Sequence, residues 1–137
     1  MKRLLSLLVL PLLLVLAGCS SLLGTGDWDL VKVTYAPGSE ESAPGYALVV
    51  TPEQASYTLD GKESVHELPA GTWDLLATGV RALGDHASPE CLDGAHLTIE
   101  ASAAGSVKQT FEATTCDAGD LLANAQGLIQ QVINQLK

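Results

Sequence analysis

Residues 55–83 read ASYTLDGKESVHELPAGTWDLLATGVRAL, and the hydrophobic period changes inside that stretch. Ala55 to Leu59 reads as a strand and runs into Asp60-Gly61, a dipeptide suited to a two-residue hairpin because the tightest such turns need positive φ at both central residues. Lys62 to Leu68 is then the return arm, only weakly apolar. Beyond it Trp73, Leu76, Ala77, Val80 and Leu83 fall at i, i+3, i+4, i+7 and i+10. That spacing predicts a helix over Ala70 to Leu83 with Gly84 as its C-terminal cap, weakened slightly by Gly79. Strands that give way to an amphipathic helix point to an α+β domain.

Working outward, Trp28 to Tyr35 alternates as a strand with Val31, Val33 and Tyr35 on one face. Ala36 to Gly45 breaks it with Pro37, Gly38, Pro44 and Gly45 around Glu40-Glu41, the composition of a solvated loop. Tyr46 to Thr51 is the next strand. On the C-terminal side Leu97, Ile99 and Ala101 point one way and His96, Thr98 and Glu100 the other. After Ala104-Gly105 a further strand runs from Val107 to Thr115, so the two form a second hairpin. Asp117 reads as the N-cap of a last helix, with Asp120 three residues on and an apolar face of Leu121, Leu122, Ala125, Leu128, Ile129, Val132, Ile133 and Leu136. The expectation is an antiparallel sheet of about five or six strands with two helices packed on one face, the C-terminal helix last.

The chain has 137 residues, with 7 Lys plus Arg against 16 Asp plus Glu and a net charge of −9. This length suits one small domain, placed at 27–137, and the acidity would repel phosphate backbones, so nucleic acid is excluded as a natural partner. Lys2 and Arg3 precede a run from Leu4 to Leu16 that is Leu or Val except at Ser6 and Pro11. The run is shorter than the roughly 20 residues of a membrane span and has the make-up of a secretory signal peptide, residues 1–18. It ends in Leu16-Ala17-Gly18-Cys19, which resembles the lipobox of bacterial lipoproteins.

That resemblance implies a diacylglyceryl group on the Cys19 thiol, cleavage just before it, and further acylation of the new amino group. Removing 18 residues leaves 119, and losing Lys2 and Arg3 takes the net charge from −9 to −11. Two or three acyl chains hold firmly, at ~0.8 kcal/mol per buried methylene. Residues 19–26 would be a short lipidated tether, so the domain works beside its membrane. Ser20 stands where such lipoproteins often carry an inner-membrane Asp. The resemblance thus favours the periplasmic face of an outer membrane in a two-membrane cell.

Cys91 and Cys116 flank the second hairpin nearly symmetrically about Ala104-Gly105, so they should meet at its open end as a disulfide in an oxidising envelope. Closing a loop of that length would contribute ~3.5 kcal/mol in the chain-entropy model. The competing reading is a zinc set of His86, Cys91, His96 and Cys116, though its spacing follows no common zinc pattern. No metal or cofactor is therefore expected. Asp85, Glu90 and Asp93 surround His86 and could orient it as a general base, but no Gly-x-Ser-x-Gly, His-Glu-x-x-His or phosphate-binding loop accompanies them, and His66 lies far from any nucleophile motif. No catalytic residue is assigned.

Over about two thirds of the chain, the order of helix, cysteine-flanked hairpin and C-terminal helix resembles the small bacterial protease inhibitors of the emfourin type. Gly26-Asp27-Trp28 is similar to the Gly-x-Trp opening of lipocalins, some of which are bacterial lipoproteins, but a helix where barrel strands should continue departs from that pattern. The expected function is non-catalytic binding of a protein partner or small ligand near the membrane, protease-inhibitor-like in one version. The loop Pro37 to Gly45, Trp28 and Trp73 are its candidate contacts. The alternatives are a small envelope enzyme or metal-dependent factor using His86 and His96, and a passive structural component of the envelope.

Overall fold

The structure, a computed structural model, describes residues 28–137; Cys19, the expected leader and the tether lie outside the described residues. Six strands and two helices follow in the order β1 (Leu30–Ala36), β2 (Tyr46–Val50), β3 (Gln54–Leu59), β4 (Lys62–Glu67), α1 (Thr72–Leu83), β5 (His96–Ala103), β6 (Ser106–Thr114) and α2 (Leu121–Gln135). All strand pairs are antiparallel and form one sheet ordered β4-β3-β2-β1-β5-β6. It is an α+β fold with the second helix at the C-terminus, as the periodicity predicts. The first strand of the described residues is a central strand of the sheet.

The pleat puts alternate residues on opposite faces, and the helices take one of them. Across that face run the rows Ala55, Val50, Val31, Ala101 and then Tyr57, Leu48, Val33, Ile99, Phe111. Apart from the half-buried Tyr57, these side chains are fully buried, together with Leu76 and Val80 of α1 and Ile129 and Val132 of α2. Gly79, which costs helix propensity, has a packing reason. A Cβ there would sit 2.5 Å from Leu128 Cδ1, so its absence lets the two helices close on each other. Gln109, inward-facing and buried, donates from Nε2 to the Val80 and Gly84 carbonyls at 2.6 and 2.9 Å, fastening the end of α1 to β6.

Both hairpin turns hold the expected residues, with Asp60 and Gly61 at φ 50° and 74° and Ala104 and Gly105 at 50° and 77°. Helix α1 starts at Thr72 instead of Ala70, because Pro69 and Gly71 (φ 83°) form a turn closed by the Thr72 N–H on the Pro69 carbonyl. The start of α2 also differs. Asp117 is not its N-cap: Asp120 is, without a side-chain cap bond, and the Asp117 carboxylate instead accepts the Thr114 N–H at 2.7 Å.

Candidate functional site

Tyr35 and Tyr46 stand directly opposite each other on β1 and β2, and Tyr57 on β3 lies one diagonal step away, all on the helical face. Their ring centroids are 5.3 and 6.0 Å apart. The strands supply one wall of a groove, α2 supplies the other with Gln126, Gly127 and Gln130, and Ala43, Pro44 and Leu59 form the rim. Its volume is about 500 Å³. The Tyr35 hydroxyl donates to the Glu41 carboxylate. Glu41, expected as half of a solvated pair, is thereby tied to the sheet, although both it and Glu40 remain exposed.

Burial raises the pKa of Tyr35, and the bond to Glu41 with its negative charge raises it further, while Gln126 works the other way. Burial likewise pushes Tyr46 up to about 12, with the neighbouring Tyr57 and Tyr35 adding to the effect. The Tyr35 and Tyr46 phenols are therefore neutral hydrogen-bonding groups at physiological pH. Among the described residues no Lys, Arg or His lines the groove. Rings for apolar contact, hydroxyls and amides for orientation, and a carboxylate nearby suit a neutral or cationic ligand or peptide and disfavour an anion.

At the other end of the sheet order, Cys91 and Cys116 form the expected disulfide, with Cα atoms 5.7 Å apart. The route differs from simple hairpin symmetry. The ladder sets His96 opposite Thr114, and continuing it would place Gly94, not Cys91, opposite Cys116. Cys91 reaches its partner because residues 91–94 fold back, with Asp93 at φ 63°. A Cβ on Gly94 would lie 2.3 Å from both Cys91 Sγ and Thr115 Oγ1, so this turn accommodates glycine only. The Asp93 carbonyl also accepts the Ser39 N–H at 3.0 Å, which pins the Pro37 to Gly45 loop to the turn. With both sulfurs in the bridge, the zinc set of His86, Cys91, His96 and Cys116 loses its two thiolates. Among the described residues no group of three or more His, Cys, Asp or Glu could hold a metal ion.

His86 has a structural part that spacing did not indicate. Its N–H donates to the Thr110 carbonyl and its carbonyl accepts the Glu112 N–H, so it pairs as an isolated bridge along the outer edge of β6. Its Nδ1 lies 2.6 Å from the Glu112 carbonyl, which can only accept, so Nδ1 carries the proton. Its Nε2 is 3.9 Å from the Asp117 carboxylate. Ser88 donates to that carboxylate, and its hydroxyl lies 3.0 Å from the Glu112 carbonyl. The hydrogen bond from Ser88 above all, then the Thr114 N–H and the nearby His86, hold Asp117 below the usual carboxylate range.

Serine, histidine and aspartate thus meet, but the serine proton points at the carboxylate rather than at the imidazole. That order clamps residues 86–88 onto the end of β6; it does not activate Ser88 as a nucleophile. His96 and His66 go elsewhere: His96 Nε2 is 2.9 Å from the Cys91 carbonyl and His66 Nε2 is 3.0 Å from Ser64 Oγ. Trp28 and Trp73 are both half-buried against the core, and the Arg81 guanidinium sits 4.9 Å from the Trp28 ring centre.

The tyrosine groove was not singled out from sequence. Its signal was the symmetric placement of Tyr35 and Tyr46 about the Ala36–Gly45 loop, which pairs them in any regular hairpin. Protein families, curated proteins and solved structures were compared with the chain, and none matches. Among the described residues no helix is long and apolar enough to cross a membrane.

Proposed function

We propose that this protein is a lipid-anchored lipoprotein of the bacterial cell envelope, held through Cys19 on the periplasmic side of an outer membrane, whose domain binds a protein partner or small ligand without catalysis. The lipobox supports the location, and the tyrosine groove carries the binding reading. In this arrangement the anchor leads into β1 near Trp28. Tyr35 lies at the opposite end of that strand, roughly 17 Å further on at about 3.3 Å per residue from Leu30. The groove therefore sits at the end of β1 remote from the point where the anchor joins the domain. A protease-inhibitor role is one form of this reading, and it fails if a broad panel of secreted metalloproteases is unaffected by micromolar protein.

Native mass spectrometry of the full-length protein tests the whole reading when the protein is extracted from its own membrane in mild detergent without reductant. The expected spectrum shows acylated Cys19, an intact disulfide and an added ligand or protein. Gly127→Trp should remove that added mass. Nothing lies within 4 Å of a Cβ at this groove-lining glycine, so the indole fills the groove without disturbing the core. Unmodified Cys19 would sink the location, and an added mass that survives Gly127→Trp would sink the groove.

A further inference from the structure

The sheet ends in two unlike edges. The β6 edge is occupied at its middle by the His86 bridge, whereas β4 has no strand beyond it among the described residues. The phase of β4 follows from one bond: the Leu68 N–H donates to the Glu53 carbonyl at 2.9 Å. Antiparallel ladders alternate between bonded and non-bonded pairs. Lys62, Ser64 and His66 therefore bond to β3, and the N–H and C=O groups of Glu63, Val65 and Glu67 point outward. The side chains of the same three residues lie on the face opposite the helices, beside Thr58, Ser56 and Gln54. Val65 is 61% exposed between two carboxylates, of which Glu63 also accepts the Ser56 hydroxyl.

Edges that must stay single are usually protected by a proline, a bulge, a lysine or a covering segment. The pairing of β4 with β3 is regular over all six residues, and among the described residues the outward positions hold no proline, bulge, lysine or covering segment; their protection against other edges is the charge of Glu63 and Glu67. What they hold is a charge code. A second copy adding antiparallel in the register that pairs all of Glu63 to Glu67 would set Glu63 against Glu67 of that copy, twice, with like charges directly opposed. Such pairs are destabilising, whereas opposite charges and apolar pairs across strands each contribute about 0.2–1 kcal/mol.

We infer that β4 is a docking edge for an extended basic segment of a partner protein, one that carries Lys or Arg on each side of an apolar residue at alternate positions. The segment joins as a seventh strand. Its apolar residue covers Val65, its two cations face Glu63 and Glu67, and its backbone takes the three free N–H and C=O pairs. The net charge of −9 steers such a segment toward the protein. This surface lies across the sheet from the tyrosine groove and does not depend on it.

The test uses the full-length protein in mild detergent with the capped peptide Thr-Lys-Thr-Val-Thr-Lys-Thr, and the same peptide with Glu for Lys as control. Hydrogen exchange at the Glu63, Val65 and Glu67 amides should slow at least about tenfold with the Lys peptide and stay unchanged with the control. Val65→Pro removes an outward N–H without touching the β3 ladder, and should abolish both protection and binding. Should that variant fail to fold, Glu63→Lys/Glu67→Lys decides the matter by reversing the preference to the Glu peptide. Lack of binding at about millimolar peptide, or binding that leaves the three amides unprotected, overturns the proposal. So does self-association that Val65→Pro or the charge reversal abolishes, since the edge would then serve a second copy.

Discussion

On one side of β1, strands β5 and β6 are bridged by a disulfide, edged by His86, clamped through Asp117 and tied to α1 by Gln109. On the other side, β2, β3 and β4 carry the half-covered tyrosine row and end in an edge with no further strand beyond it among the described residues. The strands are of similar kind, so the contrast lies in what covers them. Cross-links and bonded polar groups close the first flank, while the second carries a partly covered aromatic row and an edge that no other described strand covers. Regions with fewer buried contacts and exposed backbone hydrogen bonds open first, so local unfolding should begin at β4.

The sharpest way to break this comparison is Cys91→Ala/Cys116→Ala. Urea unfolding should show a loss of about 3.5 kcal/mol, and exchange should accelerate in β5 and β6 while the β3–β4 amides keep their rates. Equal acceleration on both flanks would mean that they unfold as one unit. Gly94→Ala should cost about 2 kcal/mol, because the new methyl meets the disulfide sulfur and the Thr115 hydroxyl. Thermal melts of the oxidised protein would register it.

Acid and alkali should attack opposite flanks. The pKa of Asp117 is lower folded than unfolded, so its contribution is present above the unfolded value of about 3.9 and disappears as pH falls through the folded one. Melting curves of wild type and Asp117→Asn should converge at the acid end. The pKa of Tyr46 is raised to about 12, so the unfolded chain ionises first and stability falls as pH climbs from about 10 to 12. Absorbance near 295 nm should show a late phase near pH 12 from Tyr46 that is absent in Tyr46→Phe. The smallest expected effect is Val65→Thr on the open edge, within about 0.5 kcal/mol of wild type in urea.

Local features were legible in the sequence because their causes are local. Asp60-Gly61 and Ala104-Gly105 announce their turns, and the spacing from Trp73 to Leu83 announces α1. The pairing of Cys91 with Cys116 was also accessible, although the reason given for it was incomplete: hairpin symmetry misses by three positions and the fold-back at Asp93 and Gly94 supplies the rest. What stayed hidden was long-range. Nothing in Leu30–Ala36 states that β5 will be its neighbour, and Asp117 satisfies the pattern of a helix cap while spending its carboxylate on Thr114 and Ser88. The tyrosine groove depends on α2 lying over strands more than sixty residues earlier in the chain.

The central place of β1 has a consequence in time. It is complete at Ala36, but its second neighbour begins only at His96, 60 residues later. At about 5–20 residues per second, synthesis of that interval takes roughly 3–12 s, whereas hairpins form in microseconds. Whatever sheet exists during those seconds has β1 as its border, with Val31, Val33 and Tyr35 still uncovered by α2. The most adhesive border this chain ever presents is therefore one that the finished protein no longer has, and Lys32 is the one charge along it until β5 arrives.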